Sequence, residues 1–248
     1  MSIVDVGDPR AARVLSTLDE WLGDAETVLP MGRICLLGTN ELLSLDIGDP
    51  RHPRIVARIA DPRMHAINGF ALWRHYLFSA NKGGHVVVFD VRDPANPVLH
   101  DALDVSARAG QHRPHDVAVY GNRIVVVDGC GFLSKHVTVY RVADEGSETL
   151  LPADEWEVEG QLSDDPNLAG CNRVEVAGPY AFVGCNRPHT FAVVDLSNPK
   201  RLEQVVNIPT ADGHPDGLTI AGNVLFVGAG QTVEAIDISN PRAPRSVA

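Results

Sequence analysis

The stretch VVDLSNP, from Val193 to Pro199, decides the fold. It joins a β-branched run that closes on an Asp to an Asn-Pro turn, which is the pattern of a strand followed by a tight turn. Related phrases recur as IVDVGDP (Ile3 to Pro9), LSLDIGDP (Leu43 to Pro50), VVFDVRDP (Val87 to Pro94) and EAIDISNP (Glu234 to Pro241). The chain therefore repeats one supersecondary unit.

The spacing of the repeat identifies its size. The closing residues are Asp5, Asp46, Asp90, Asp195 and Asp237, with a degenerate copy around Arg141, so the interval is about 41 to 54 residues, typical of four-stranded propeller blades. Upstream of each phrase, two strands flank a tight turn, as in HDVAVYGNRIVVVDG (His115 to Gly129). We therefore expect an all-β fold, a β-propeller of four-stranded antiparallel blades with strands A to D in chain order.

We expect five complete blades and a partial one at the N-terminus, all in a single domain covering residues 1–248. The predicted repeats are approximately 1–22 (partial), 23–62, 63–108, 109–168, 169–210 and 211–248.

The segments GNRIVVVDG, AFVGCNRPHTFAVVDLSNP and LFVGAGQTVEAIDISNP resemble the LVIVD-repeat family of β-propellers. The resemblance covers nearly the whole chain and implies a propeller. It implies little about activity, because propellers support many unrelated functions.

Two segments admit a second interpretation. Residues 8–23 match the D-strand region of the next repeat, but Asp8, Pro9 and an apolar stripe also fit a capped helix. The acidic segment from Asp144 to Ala169 is long for a propeller connection. We expect it to supply a D strand at Glu155 to Val158 and a loop over the histidine-bearing face that could act as a lid, or to be a solvated excursion.

Composition and charge exclude several classes of function. A formal net charge of -11 without a Lys/Arg cluster argues against nucleic acid as a partner. No apolar stretch approaches the length of a membrane span, and the N-terminus lacks the features of a signal peptide. We therefore expect no membrane association and a cytoplasmic location. We also expect the four cysteines to be mostly free thiols, although Cys171 and Cys185 could meet across one hairpin.

The topology of a blade assigns each residue to one of two faces. The starts of strands A and C and the ends of strands B and D emerge on one face, which we call the ring face; the A–B and C–D turns emerge on the other, the turn face. Counting six residues back from each A–B turn gives one polar residue per blade, at the start of strand A: Glu26, Asn68, His115, Asn172 and Asp216. Because inner strands converge on the propeller axis, we expect these ring residues to surround the channel mouth.

Such a ring could hold a small polar ligand and divide acid and base roles. Glu26 or Asp216 is the candidate base and His115 the candidate acid, while the candidate substrate-binding residues are Asn68, Asn172, Arg113, Arg173, His65 and His214. For Asn68 and Asn172, a purely structural role in turns is an equal alternative. The repeated closing Asp residues fit a structural role better than a catalytic one.

Histidines are concentrated on the ring face. Four of them lie just before A strands and could bind a divalent metal such as copper, zinc or iron: His65, His112, His115 and His214. We predict no obligatory cofactor, because no carboxylate or thiolate ligand is fixed beside them by spacing.

The sequence favours a small-molecule enzyme with acid/base chemistry of a lyase, isomerase or hydrolase type at the channel mouth. The alternative is a non-catalytic propeller that serves as a protein-interaction or ligand-binding scaffold. The unfinished N-terminal blade could be completed by a second copy in a homodimer, or the chain could be a portion of a longer protein.

Overall fold

A computed structural model describes residues 1–18, 22–23, 25–129, 136–163 and 165–247 of the chain. Within these residues, the strands form five four-stranded antiparallel sheets and one two-stranded sheet. The predicted fold class is confirmed: the protein is a β-propeller of five complete blades and a partial N-terminal blade.

The strands follow the chain order in every blade. The partial blade consists of β1 (Ser2–Asp5) and β2 (Arg13–Thr17). Blade 1 consists of β3 (Thr27–Met31), β4 (Ile34–Gly38), β5 (Leu42–Asp46) and β6 (Arg54–Ile59). Blade 2 consists of β7 (Ile67–Trp73), β8 (Tyr76–Asn81), β9 (His85–Asp90) and β10 (Val98–Asp104), and is followed by helix α1 (Val105–Ala109).

Blade 3 consists of β11 (Pro114–Tyr120), β12 (Arg123–Asp128), β13 (Val137–Arg141) and β14 (Glu157–Leu162). Blade 4 consists of β15 (Cys171–Ala177), β16 (Tyr180–Cys185), β17 (Thr190–Asp195) and β18 (Glu203–Pro209). Blade 5 consists of β19 (Pro215–Ala221), β20 (Val224–Ala229), β21 (Thr232–Asp237) and β22 (Arg245–Ser246). Short 3₁₀ turns occur at Pro9–Ala11, Ala153–Glu155, Pro166–Leu168 and Pro199–Arg201.

The hydrophobic core is divided among the gaps between neighbouring blades. Leu36 and Leu42 of blade 1 pack with Leu77 and Phe89 of blade 2, and corresponding clusters join blades 2 and 3, blades 3 and 4, and blades 4 and 5. Strands B and C of blades 1 to 4 are buried on both sides, which explains their nearly continuous apolar composition. This packing fixes the first strand of each blade at the inner edge.

The A–B turns explain the recurrent glycine. Each loop has two residues, and only the first has a positive φ, as a type II′ turn requires. Gly121 occupies this position in blade 3 with φ 62°, whereas blade 2 has Arg74 there with φ 57°. Because glycine adopts this conformation without steric cost, it recurs in these turns, and Arg74 is the exception.

The closing Asp residues form capped turns on the turn face. The Asp46 carboxylate accepts a hydrogen bond from the Gly48 amide at 2.9 Å, and the equivalent bond recurs in other repeats, including 2.9 Å from Ser197 to Asp195. Arg33 adds a bidentate pair to Asp46, with distances of 2.9 and 2.8 Å, and these contacts hold the pKa of Asp46 well below its usual range. The expected structural role of these residues accounts for the repeated phrase.

The N-terminal segment is a strand hairpin. Arg13–Thr17 forms β2, which pairs with β1, so the helix interpretation of residues 8–23 is wrong for this part. Asp8 does cap a turn, but it is only the 3₁₀ turn at Pro9–Ala11. Among the described residues, β1 pairs only with β2, and a homodimer through its other edge stays a prediction.

The part of the acidic segment before β14 is anchored away from the ring face. Trp156 is fully buried and packs on Phe78 of blade 2, with ring centroids 5.8 Å apart, and Glu148 pairs with Arg74 on the turn face at 3.1 Å. This part does not form the expected lid, because its apolar anchor lies in the core between blades 2 and 3; a lid from the residues after β14 stays a prediction. The same anchoring moves the D strand from the expected Glu155 to Val158 to Glu157–Leu162.

No helix in the described part of the chain has the length and apolar character needed to cross a lipid bilayer.

Candidate functional site

Four of the five ring residues occupy β-bulges. In blade 2, Ile67 pairs with Asn81 and Gly69 pairs with Ala80, so that Asn68 between them has no partner in the ladder. The same interruption isolates His115, Asn172 and Asp216 in blades 3, 4 and 5. A bulge releases one residue from strand pairing and redirects its side chain. The repeat thus places a polar side chain at the same bulged position in four blades.

Two of the ring residues, Glu26 and Asn68, line a central cavity. This cavity of about 440 Å³ is lined by residues from the first strand of every complete blade. Its lining includes Glu26, Asn68, Asp116, Arg173, Glu175 and Leu218. The inner strands of the five complete blades therefore line one cavity, and the expectation that all five ring residues surround its mouth stays a prediction.

Lys82 joins two of the ring residues. Its ammonium group lies 3.3 Å from Glu26 Oε1, and it donates at 3.1 Å to the Asn68 amide oxygen when that amide is oriented toward it. In this orientation the Asn68 nitrogen donates to the Ala66 carbonyl oxygen at 2.8 Å. Glu26 therefore has a cationic partner, and Lys82 links blades 1 and 2 at the channel mouth.

Asn172 and Asp216 form the second connection across neighbouring blades. Asn172 Nδ2 donates to Asp216 Oδ1 at 3.0 Å, and Asn186 Nδ2 approaches the same oxygen at 3.5 Å. Arg173 donates to the backbone oxygen of Asp216 at 2.8 Å. The second Asp216 carboxylate oxygen, which accepts none of these bonds, belongs to an exposed residue and can meet a ligand.

His115 belongs to blade 3. It therefore lies between the Glu26–Lys82–Asn68 connection of blades 1 and 2 and the Asn172–Asp216 connection of blades 4 and 5. Burial, followed by the charges of Lys82, Arg173 and Arg113, lowers its pKa to about 4. Its Nδ1 is buried and has no hydrogen-bond partner among the described residues. At neutral pH the imidazole of His115 is therefore uncharged, and its buried Nδ1 remains available to a ligand.

Glycine makes room for the imidazole. A Cβ atom at Gly129, the first residue after strand B of blade 3, would overlap His115 Cδ2. The equivalent position in blade 2 is Lys82 and in blade 4 is Asn186. A side chain of either kind could not coexist with His115 in its observed position.

Two acidic residues line the channel below the ring. Burial raises the pKa of Asp116 to about 7, although the amides of Val174 and Val117 donate to its carboxylate at 3.0 and 2.9 Å. Burial also raises the pKa of Glu175. The channel wall therefore contains carboxyl groups that are harder to ionise than those of the turn face.

The four histidines proposed as metal ligands do not converge. His112 Nδ1 bonds to the Ser106 hydroxyl at 3.0 Å, His214 Nδ1 bonds to the Asn186 carbonyl oxygen at 2.8 Å, and His65 is exposed beside the Gly83 loop. In the described ranges, no group of three His, Cys, Asp or Glu side chains is arranged to hold a metal ion. The four histidines therefore do not form the expected metal site, because His112 and His214 bond to local partners instead of facing the others.

Comparison with known proteins identifies the repeat. The family model described as the LVIVD repeat matches residues 171–210 and 212–247. The protein is a β-propeller whose blades 4 and 5 match the LVIVD repeat. These two blades contain Asn172 and Asp216. No curated protein matches the chain by sequence.

Solved structures share the fold at low identity. A candidate 6-phosphogluconolactonase from Bacteroides uniformis is 14% identical, with a TM-score of 0.75, and the match covers 96% of this chain and 73% of that one. The periplasmic gluconolactonase PpgL of Pseudomonas aeruginosa is 17% identical, with a TM-score of 0.68 and coverages of 96% and 75%. A protein from Lactobacillus plantarum is 16% identical, with a TM-score of 0.71 and coverages of 100% and 76%. These similarities show the fold alone.

Sequence reasoning missed Lys82, Asp116, Asn186 and Glu175. Lys82 and Asn186 are the first residues after strand B in their blades, and Asp116 directly follows a ring residue. An alignment of the B-strand ends, made in the same way as the alignment of the A–B turns, would have found Lys82 and Asn186.

Proposed function

We propose that the LVIVD-repeat propeller is a small-molecule hydrolase that cleaves a polar, anionic ester or lactone at the mouth of its channel. The observation that carries the proposal is the set of four bulged polar residues at the same position of four neighbouring blades. Among them, the buried His115 Nδ1 and Asn172 Oδ1 have no partner within the described residues. Unpaired buried polar atoms are costly in a protein that has no use for them.

Asp216 is the best candidate for the group that activates water. Glu26, the other candidate base, is held by Lys82, whereas Asp216 is oriented by an Asn172 amide that leaves one carboxylate oxygen open. A carboxylate oriented in this way can accept a proton from water as the water attacks an acyl carbon.

His115 fits a role other than the acid suggested by the sequence. A general acid must carry the proton that it gives, and a pKa of about 4 leaves His115 neutral at physiological pH. In the neutral form it can donate one hydrogen bond to a substrate oxygen or accept one from a substrate hydroxyl. We therefore assign it to substrate orientation and charge stabilisation.

The positive charges near His115 support an anionic substrate. Lys82, Arg173 and Arg113 all act on the imidazole electrostatically, although the chain as a whole is acidic. A local excess of cations in an acidic protein favours the entry of an anionic ligand. The two lactonase neighbours make a lactone the natural first choice of substrate, by analogy of fold.

The test is a hydrolysis assay with neutral and phosphorylated sugar lactones and with simple esters. We expect turnover of an anionic substrate, and a loss of about 10²-fold or more in kcat/KM for His115→Ala and Asp216→Asn. His52→Ala is the matched control, because this histidine is exposed in a turn-face loop and pairs with Asp49. If no substrate is hydrolysed, or if both ring variants match the wild type, the proposal fails.

The interaction scaffold is the second candidate, and one observation favours it. A predominantly apolar cleft of about 740 Å³ lies between the partial blade and blade 1, lined by residues that include Ile3, Val28, Leu37 and Ile47. Exposed apolar surface beside an unpaired strand edge is typical of binding surfaces. An absence of turnover, combined with a dimeric mass in solution, would favour this function over the hydrolase.

A further inference from the structure

Cys171 and Cys185 face each other at the open end of the first hairpin of blade 4. They are directly opposed in the β15–β16 ladder, and their Sγ atoms are 3.4 Å apart. Both residues are fully buried. Directly opposed residues in antiparallel strands have Cα separations of about 4.5 to 5.5 Å, within the range that a disulfide spans.

We propose that Cys171 and Cys185 are a redox site that forms a disulfide when the protein meets a hydroperoxide. One thiolate attacks the peroxide, its sulfur is oxidised to a sulfenic acid, and the O–O bond breaks to release the corresponding alcohol, or water when the oxidant is hydrogen peroxide. The second thiol then attacks that sulfur, the S–S bond forms, the S–O bond breaks, and the departing hydroxide leaves as water with the thiol proton. Two thiols and one hydroperoxide thus give one disulfide, one water and the alcohol or water derived from the peroxide.

The surroundings of the pair predict a slow but selective reaction. The Cys171 thiol donates to the Leu168 carbonyl oxygen at 2.6 Å, and this carbonyl belongs to the 3₁₀ turn that precedes blade 4. Burial and the adjacent Cys185 raise the pKa of Cys171, so that little thiolate is present at neutral pH. Once a first oxidation has occurred, the 3.4 Å separation favours the disulfide over further oxidation.

The pair is adjacent to the candidate site. Asn172 and Asn186 directly follow the two cysteines, and both amides are directed at Asp216 Oδ1, at 3.0 and 3.5 Å. A disulfide would fix the spacing of the two strand ends from which these amides project. Oxidation is therefore expected to rigidify the Asp216 environment, a consequence that does not require the protein to be a hydrolase.

The full chain is treated with hydrogen peroxide at neutral and mildly alkaline pH, unfolded, alkylated and mapped by peptide mass spectrometry. We expect an intact mass lower by two hydrogens and one cross-linked peptide pair that joins Cys171 to Cys185. The reaction should accelerate at the higher pH, and the apparent Tm should rise by about 5 °C and return on reduction by dithiothreitol.

Cys35→Ser is the matched control, because Cys35 is also buried but lies in blade 1. It should leave the cross-link intact, whereas Cys171→Ser and Cys185→Ser should each abolish it. The wild-type peptide map remains decisive if a variant does not fold. Retention of both thiols after prolonged exposure, stepwise over-oxidation of either cysteine, or a cross-link to another cysteine would overturn the proposal.

Discussion

The two faces of the propeller use the same kinds of polar residue in opposite ways. On the turn face, each closing Asp accepts a hydrogen bond from a backbone amide, as Asp195 does from Ser197. In blades 1 and 4 an arginine also forms an ion pair with this carboxylate, as Arg242 does with Asp195. On the ring face, His115 and Asn172 keep buried polar atoms without a protein partner, within the described part of the chain. The closing Asp residues of the turn face therefore have protein partners, whereas these two polar atoms of the ring face do not.

The acidity of the carboxyl groups follows the same division. Hydrogen bonds from Ser197 lower the pKa of Asp195, while burial raises the pKa of Asp116 in the channel wall to about 7. A lowered pKa means that the ionised form is stabilised by folding, and a raised one means that folding acts against it. Asp195 therefore contributes to the stability of the fold in its ionised form, whereas ionisation of Asp116 is opposed by its burial in the fold.

Of the three variants that compare the two faces, Gly129→Ala on the ring face is expected to lower activity the most. The new methyl group would overlap His115 Cδ2, so the imidazole must move out of its pocket. Under the proposed function, kcat/KM should fall by roughly 10- to 100-fold. The His115 pKa, followed by NMR titration, should move upward toward its ordinary value because the ring becomes more solvated.

Gly228→Ala provides the steric control, because its Cβ would meet no atom closer than 3.8 Å. It should change neither the histidine titration nor the activity. An unmoved His115 pKa in Gly129→Ala would contradict the assignment of Gly129 as the residue that makes room for the ring.

The next effect is a change in how stability depends on pH, in Asp116→Asn. Since the folded pKa of Asp116 is about 7 and its ordinary value is 3.8, wild-type stability from this group is present at low pH and lost as the pH rises through 7. Asn resembles the protonated acid and cannot ionise. Between about pH 4 and pH 8, the free energy of unfolding of the variant should therefore gain up to about 4 kcal/mol relative to the wild type.

Urea denaturation across this pH range measures the difference. Asp237→Asn on the turn face is the control and should show the opposite sign, because backbone donation from Ser239 lowers the pKa of Asp237. Two parallel stability profiles for wild type and Asp116→Asn would show that Asp116 titrates normally and would weaken the contrast between the faces.

The smallest effect is expected from Asp195→Ala on the turn face. Removal of the acceptor for Ser197 and Arg242 should cost about 1–2 kcal/mol of the free energy of unfolding near neutral pH. Because the pKa of Asp195 is lowered, this difference should disappear as the pH falls through the folded pKa. Hydrolytic activity measured well below the Tm should not change, and a large loss of activity would remove the functional distinction between the two faces.

The fold could be predicted from the sequence because its signals are periodic. The phrase ending at Asp46 or Asp195 forms the same capped turn each time, and each A–B hairpin keeps its glycine or, at Arg74, adopts the glycine conformation. Counting back from these turns also found the ring, since hairpin geometry fixes the number of residues between a turn and the channel mouth.

The remaining features depend on contacts between blades. Lys82 joins the site by reaching Glu26 of another blade, and Asp116 reaches the Val174 amide of the next one. Neither relation leaves a pattern within a single repeat. The D strand of blade 3 differs from the expected range for a similar reason, because the burial of Trp156 against Phe78 is a tertiary contact with no local sequence signal.

The bulges have a consequence for how such a protein can diversify. The residues at positions 68, 115, 172 and 216 are skipped by the strand ladders, so their side chains can change while the paired residues on either side keep their hydrogen bonds. A library randomised at these four codons would alter the chemistry presented to a ligand on an unchanged scaffold. Four of the five complete blades thus each hold one side chain outside the strand pairing, where it can be replaced without loss of a ladder hydrogen bond.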